Sequence, residues 1–248
     1  MFKKLALLPL LALAFAASVI AAPDPHPRGF NNLPDGHWVR GRGDAITMPY
    51  PARDFQWFDD FFKYTAGDWV VTEINDSTQA MGDANGGTLV LTTLTAENDA
   101  ASLQSVGEIF TLASGKEAFF EARFKIGEAT QSDFVMGLQV RDTTPLAVAD
   151  GVYFQKDDGD ALLDIHSMAT SVDTAALGIH TVVDDTYMKV SFYYDGGTSI
   201  VYAVDDVVKG TLTATPTTTE LTISFAVHAG SAAADVLTVD YIHFWREK

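Results

Sequence analysis

Apolar and polar residues alternate with a period of two along most of the chain after residue 57. In residues 117–126 every second position from Ala118 to Ile126 is apolar, and most positions between them are charged. The same alternation recurs at 133–141, 186–194 and 221–228. It is typical of antiparallel strands that have one face against a core. Four residues on the apolar faces are therefore expected to be buried between two sheets: Phe124, Leu138, Phe192 and Phe225.

Further segments have the composition of strands and are separated by turn sequences such as Asn-Gly-Gly and Asp-Gly-Gly. No helical period of 3.6 residues and no long internal repeat interrupts this series. The pattern predicts an all-β protein, a two-sheet antiparallel jelly-roll sandwich over residues 57–248. The additional predicted strands are 69–74, 88–93, 151–156, 161–166, 199–204, 207–213 and 236–245.

The first 22 residues form a signal-like hydrophobic segment. Two lysines precede an apolar run at 5–20, and small residues follow it, with Ala21 at the expected cleavage position. The run is shorter than the roughly 20 residues of a membrane span and contains Pro9. Cleavage would predict an exported, periplasmic or extracellular protein with no membrane span. The alternative is a hydrophobic arm that stays on the chain.

Residues 23–56 form a second segment, which holds six of the nine prolines. Proline at this density prevents regular helix and central strand, so we predict an extended arm that contributes little to the fold. The arm carries aromatic and arginine side chains of the types that anchor protein interfaces. The predicted partner-binding residues are Trp38, Arg40, Arg42, Tyr50 and Phe55. A flexible linker is the alternative interpretation.

Charge and cysteine content exclude several functions. The chain has 33 acidic and 16 basic residues, a net charge of −17, which disfavours binding to nucleic acid. It contains no cysteine, so disulfides, thiolate nucleophiles and zinc sites with sulfur ligands are excluded.

No catalytic residue is predicted. Glycosidases on this type of sandwich use paired acids in an E-x-D-x-x-E arrangement, which does not occur here. Glu117 and Glu121 share a strand face, but Arg123 and Lys125 follow on the same face and favour simple charge pairing. The six histidines are scattered, and no G-x-S-x-G sequence is present.

Two groups of residues could bind a ligand. Asp157, Asp158 and Asp160 form an oxygen-rich turn that could hold calcium, although Asp-Gly turns are common without a metal. The aromatic residues opposite the predicted core face could stack against sugar rings or pack under another subunit. These sugar-stacking candidates are Phe119, Tyr153 and Tyr193.

Several strings resemble tailed-phage virion proteins. They are FDDFFKYTAGDWVVTE (58–73), GGTLVLTT (86–93), the long stretch from GKEAFFEARFKIG to KDDGDALLD (115–164), DDTYMKVSFYYDGG (184–197), VYAVDDVVKGTL (201–212) and ELTISFAVHAGSAAADVLTVDYI (220–242). Their order is preserved across about residues 57–245. The resemblance implies a concanavalin A-like jelly roll.

The resemblance also implies a non-enzymatic role as a capsid decoration, cement or accessory protein of the virion. The partner would be the major capsid protein or another virion protein, and the protein could also form a homo-oligomer. The signal-like start departs from this family, because capsids assemble in the cytoplasm. The alternatives are an exported, lectin-like carbohydrate-binding module and, less favoured, a jelly-roll glycosidase.

Overall fold

Antiparallel strands form nearly all of the regular structure. The computed structural model describes residues 54–231 and 233–248, together with the backbone of residues 40–42 and 45–47. Two short 3-10 turns, Ala66–Asp68 and Pro145–Ala147, are its only helical segments among these residues. The strands are β1 Arg40–Arg42, β2 Ala45–Thr47, β3 Asp54–Asp59, β4 Trp69–Ile74, β5 Thr78–Gly82, β6 Thr88–Thr92, β7 Ala100–Ser105, β8 Ala118–Ile126, β9 Ser132–Gln139, β10 Gly151–Lys156, β11 Leu162–Ala169, β12 Val172–Thr181, β13 Met188–Tyr194, β14 Ser199–Val204, β15 Val207–Thr213, β16 Thr222–Ala229 and β17 Val236–Glu247.

Two sheets pack face to face. A seven-stranded sheet has the order β12-β11-β10-β9-β16-β7-β4. The eight-stranded sheet has the order β15-β14-β13-β8-β17-β6-β5, and β3 pairs beside β17. The first half of β17 pairs with β6 and its second half with β3. This arrangement confirms the predicted two-sheet antiparallel sandwich.

The core lies between the sheets and is formed by the predicted apolar faces. Phe124, Leu138, Phe192 and Phe225 are all fully buried, as the alternation predicted. Aromatic rings connect the two sheets: the Phe124 ring centroid is 5.2 Å from that of Phe134 in an edge-to-face contact. Burial of this many apolar side chains supplies most of the driving force for folding.

Six strands are not among those predicted from the sequence: β1, β2, β3, β5, β7 and β12. All six residues of β7 are buried, because its outer face is covered as well as its core face. Gln104 on that outer face donates a hydrogen bond from Nε2 to Ser224 Oγ at 3.1 Å. A strand with small and polar residues on two covered faces has no apolar-polar contrast, so its sequence gives no period of two.

The predicted boundary between arm and domain at residue 57 needs correction. Strand β3 begins at Asp54 and pairs along β17, so the last residues of the predicted arm belong to the sheet. Phe55 packs on the core, with its ring centroid 5.8 Å from that of Phe110. It is therefore a structural residue of the domain, and its predicted partner-binding role has no support from its position.

The rest of the predicted arm is described only in part. Arg40 and Arg42 lie in β1, which pairs antiparallel with β2, so this part of the arm is a short hairpin instead of a single extended strand. Trp38 and Tyr50 lie outside the described residues, as does the signal-like segment 1–22. Within residues 54–231 and 233–248, no helix is long and apolar enough to cross a membrane.

Two truncations should separate the arm from β3. Removing residues 1–55 deletes the Phe55 contacts with Phe110 and Phe244, whereas removing residues 1–53 keeps them. We expect the shorter protein to be less stable than the longer one by about 1–2 kcal/mol, the value of a partly buried aromatic side chain. Urea denaturation of the two truncated proteins measures this difference. Equal free energies of unfolding would contradict the structural role of Phe55.

Candidate functional site

A loop at residues 142–150 folds over the outer face of the seven-stranded sheet. It begins with a turn in which Asp142 Oδ1 accepts hydrogen bonds from the backbone N and the hydroxyl of Thr144. These hydrogen bonds lower the pKa of the Asp142 carboxyl. The loop is attached to the sheet because Gln139 donates from Nε2 to the carbonyl of Pro145 at 2.8 Å.

The loop and the sheet enclose a small second apolar cluster. Val148 of the loop is 2% exposed and packs against Val135, Tyr153 and Ala226. The turn between β11 and β12 is joined to the same loop, because the backbone N of Ser171 donates to the carbonyl of Ala149 at 2.8 Å. The loop is thereby fixed at both sides as a wall above the sheet.

An open pocket of about 340 Å³ lies between this wall and strands β10, β11 and β12. This volume is in the range of small-molecule sites, about 300–1,000 Å³. The side chains combine apolar groups with a few polar ones, as such sites usually do. The lining residues are Leu146, Ala147, Val148, Ala149, Tyr153, Gln155, His166, Met168, Ser171 and Asp173.

Tyr153 and His166 form the floor of the pocket. They are directly paired on β10 and β11, and their rings stack with centroids 5.5 Å apart and an interplanar angle of 18°. Tyr153 lies beside Gly137 of β9, where a Cβ atom would be 2.5 Å from the Tyr153 Cα. Only glycine allows the two strands to approach this closely.

A histidine-aspartate pair lies on one side of the pocket. His166 Nδ1 donates to Asp173 Oδ2 at 2.9 Å, because an ionised carboxylate can only accept. Neutral His166 therefore carries its proton on Nδ1 and has a lone pair on Nε2. Nε2 is buried and has no hydrogen-bond partner among the described residues. A buried acceptor without a partner is costly unless a ligand or water supplies a donor.

The phenol of Tyr153 remains a neutral hydrogen-bond donor. Burial raises its pKa well above the ordinary value, and the Asp173 and Asp157 carboxylates raise it further. No lysine or arginine is among the residues that line the pocket. Gln155, at the rim, donates from Nε2 to Asp157 Oδ1 at 2.7 Å. The electrostatic environment is thus negative.

Gly137→Ala should disturb both the sheet and the pocket. The added methyl would overlap the Tyr153 backbone and the Val152 carbonyl, neither of which can rotate away. We expect a loss of about 2 kcal/mol in the free energy of unfolding, typical of overpacking at a rigid site. Thermal and urea denaturation measure it. Gly67→Ala is the matched control because its added Cβ meets no atom within 4 Å, and equal effects of both changes would contradict the close approach.

The structure places the three predicted sugar-stacking aromatics on the outer faces of the two sheets. Tyr153 lines the pocket but is only 3% exposed, so the face of its ring is not open for stacking on a sugar. Phe119 and Tyr193 are directly paired on β8 and β13 of the other sheet. They are 0% and 7% exposed. Stacking on sugar therefore stays a prediction for all three, with Phe119 and Tyr193 covered in this structure.

The predicted calcium turn uses its carboxylates for local hydrogen bonds. Asp157 accepts from Gln155, and Asp160 accepts from the backbone N of Leu162 at 2.7 Å. The backbone N of Asp158 donates to the Asp133 carboxylate of the neighbouring strand β9. Among the described residues, no group of three or more acidic or histidine side chains is arranged to hold a metal ion. The turn therefore gives no support to the calcium prediction.

The acidic pair considered for glycosidase chemistry lies on β8 or next to it, away from the pocket. Glu121 accepts a hydrogen bond from the Tyr241 hydroxyl at 2.8 Å, and its Oε2 lies 4.0 Å from Lys189 Nζ. Glu117 and Glu121 are both 5% exposed. Their burial differs from the expected surface pairing, and their contacts stabilise the outer face of the eight-stranded sheet.

Sequence reasoning missed His166 and Asp173. Tyr153 pairs with His166 across the connection between β10 and β11, but the turn residues at 157–160 do not fix this register by themselves. Asp173 could not be placed, because β12 lacks a clear alternation and the β11–β12 hairpin was not predicted. The left-handed pair Thr170 and Ser171, with φ of 51° and 61°, forms that hairpin turn without the usual glycine or asparagine.

Comparison with known proteins identifies the fold. No protein-family model and no curated protein matches the chain. A Bacillus licheniformis β-glucanase superposes with a TM-score of 0.58 and 13% identity, over 76% of this chain and 97% of the enzyme. Peanut lectin superposes with a TM-score of 0.54 and 14% identity, over 78% of this chain and 97% of the lectin. A Shewanella oneidensis protein of unknown function superposes with a TM-score of 0.56 and 16% identity, over 79% of this chain and 87% of that protein. The domain is therefore a concanavalin A-like jelly roll, as predicted; identities this low show the fold alone.

Proposed function

We propose that this protein is a carbohydrate-binding, lectin-like module that holds its ligand in the pocket above β10, β11 and β12. The proposal rests chiefly on one observation: Tyr153, His166 and Asp173 line an open pocket beside the fixed loop, and His166 Nε2 has no hydrogen-bond partner among the described residues. Structural neighbours that include a lectin and glucanases make a sugar a reasonable ligand class for this fold.

The chemistry of the pocket suits a hydroxyl-rich ring. The Tyr153 hydroxyl can donate, and His166 Nε2 can accept, so a sugar hydroxyl or a pair of them can satisfy both. Leu146, Val148 and Met168 supply apolar surface for the carbon-bound hydrogens of the ring. The pocket has no paired carboxylates at the spacing of a glycosidase, which favours binding without hydrolysis.

Affinity electrophoresis through gels that contain soluble polysaccharides tests this proposal. The full chain should be retarded by at least one polysaccharide, and Tyr153→Phe should weaken that binding by about fivefold, the value of one lost hydrogen bond. Tyr187→Phe is the matched control, because its ring contacts Arg123 on the other sheet. Absence of retardation by every polysaccharide, or equal loss in both variants, would contradict glycan binding in this pocket.

A role as a virion decoration or accessory protein is the second candidate. It rests on the resemblance to tailed-phage proteins and on apolar residues at the sheet edges. Val172 and Leu177 of β12 are 68% and 71% exposed, and Val207 of β15 is 58% exposed. The two edge strands contact each other at one side of the sandwich. An apolar sheet edge is a surface on which another protein chain can pack or pair.

Mass spectrometry of purified phage particles tests this second candidate. Particles from cells that carry the gene should contain the polypeptide, and Leu177→Lys should prevent its incorporation. Val106→Lys is the control, since Val106 is 48% exposed but lies on neither edge strand. Particles without the polypeptide would contradict the virion role, and the protein would then be sought in the exported fraction.

A further inference from the structure

We propose that the pocket selects neutral or amino-bearing sugars and rejects uronic and sulfated ones, with His166 Nε2 as the recognising atom and Asp173 as its positioning residue. This inference rests on the proposed glycan-binding function and specifies its ligand class. It is carried by the geometry of the His166–Asp173 pair and by the charges around the pocket.

Asp173 sets the tautomer of neutral His166. Its hydrogen bond of 2.9 Å to Nδ1 places the single ring proton on that nitrogen, so Nε2 is an acceptor. Its ligand must therefore bring a donor, either a hydroxyl or an ammonium group. The His166 ring lines the pocket, where its side chain is 14% exposed, and it stacks on Tyr153.

The charged groups around the pocket disfavour an anionic ligand. Asp173 lines the pocket and Asp157 contacts the rim residue Gln155, while no lysine or arginine lines the pocket to neutralise an anionic group. A carboxylate or sulfate on a ligand would be desolvated next to carboxylates without a compensating partner, which is strongly unfavourable. An amino group at the same place would be attracted. The chain as a whole, at −17, adds to this preference.

Matched oligosaccharides provide the experiment. A glycan array should carry cello-oligosaccharides, the same oligosaccharides oxidised at C6 to uronates, chitosan oligosaccharides, and sulfated glycosaminoglycan fragments, alongside other neutral glycans and their C6-oxidised forms. We expect signals from neutral or amino members only, with at least about tenfold weaker binding to each oxidised partner, as expected for one uncompensated buried charge.

Variants then identify the recognising atom. His166→Ala and His166→Gln should each weaken binding by about tenfold or more, whereas His180→Ala, on β12 outside the pocket, should leave it unchanged. Asp173→Asn allows the proton to move to Nε2 and removes a negative charge. This substitution should therefore weaken the binding of neutral sugars. It should also reduce the ratio of the affinity for a neutral sugar to the affinity for its oxidised partner, an effect that a merely structural role would not produce. Thermal denaturation confirms that each variant is folded.

The outcomes separate this inference from the function on which it rests. If no glycan binds, the proposed function is wrong. If glycans bind but oxidised partners bind as well as neutral ones, or His166→Gln keeps full affinity, glycan binding stands and the selectivity proposed here is overturned.

Discussion

Phe192→Ala is expected to lower the free energy of unfolding by about 3–5 kcal/mol, the usual cost of truncating a fully buried aromatic residue. The Phe192 ring is 0% exposed. It stacks on Phe120 of the same sheet with centroids 5.4 Å apart and lies 6.5 Å from Phe154 of the opposite sheet. Alanine would leave a cavity at the point where the sheets meet, and the strands on both sides are too constrained to collapse into it.

Urea denaturation monitored by circular dichroism measures this loss. Phe62→Ala is the matched control, because Phe62 is 81% exposed and its truncation should change stability by no more than about 0.5 kcal/mol. A Phe192 variant as stable as the Phe62 variant would contradict the position of the core.

Asp235→Asn is expected to make the protein more stable, and increasingly so as the pH rises through about 6. Asp235 is 1% exposed, and both of its carboxyl oxygens lack a hydrogen-bond partner among the described residues. The pKa of this carboxyl is raised from 3.8 to about 6, mainly by burial; the Glu128 and Asp133 carboxylates also raise it, and Lys156 lowers it. At pH values between these two pKa values, the native state therefore keeps a proton on Asp235 that the unfolded chain has already released.

The sign of the pH dependence follows from this proton. Between pH 4 and 6 the native state binds more protons than the unfolded state, so the stability due to Asp235 is complete below pH 4 and is lost as the pH rises. At 1.36 kcal/mol per pKa unit, a rise of about 2 units costs the wild-type protein as much as about 3 kcal/mol above pH 6. Asparagine cannot ionise and avoids this cost.

Unfolding free energies of both proteins at pH 4.0 and pH 7.5 test the expectation. The advantage of Asp235→Asn over the wild type should grow between these two values. Asp185→Asn is the control for the same chemical change at a surface position, since the Asp185 side chain is 75% exposed. An advantage of Asp235→Asn that is constant with pH would show that Asp235 ionises normally in the folded protein.

The residues predicted to bind a ligand or a partner lie in different environments in the structure, for physical reasons. Tyr153 is in the pocket because its outer-face position follows from the period of two. Phe55 could not be recognised as structural, since proline content describes the average of residues 23–56 and not the strand that begins at Asp54. Phe119 shows the limit of face assignment: a residue opposite the core can still be buried. The resemblance to virion proteins stays a prediction.

The all-β class, the position of the core faces and the bounds of most strands can be predicted from the amino-acid sequence alone. Each of these depends on alternation and turns within about ten residues, which side-chain direction along a strand dictates locally. The candidate site depends on contacts between separate strands and loops, which local patterns do not predict. His166 and Asp173 meet across a hairpin between one predicted strand and one that was not predicted, and the loop at 142–150 closes over them by contacts with Gln139 and Ser171. The buried carboxyl of Asp235 is likewise a consequence of packing, because burial depends on which strands come together and the residue type alone predicts exposure.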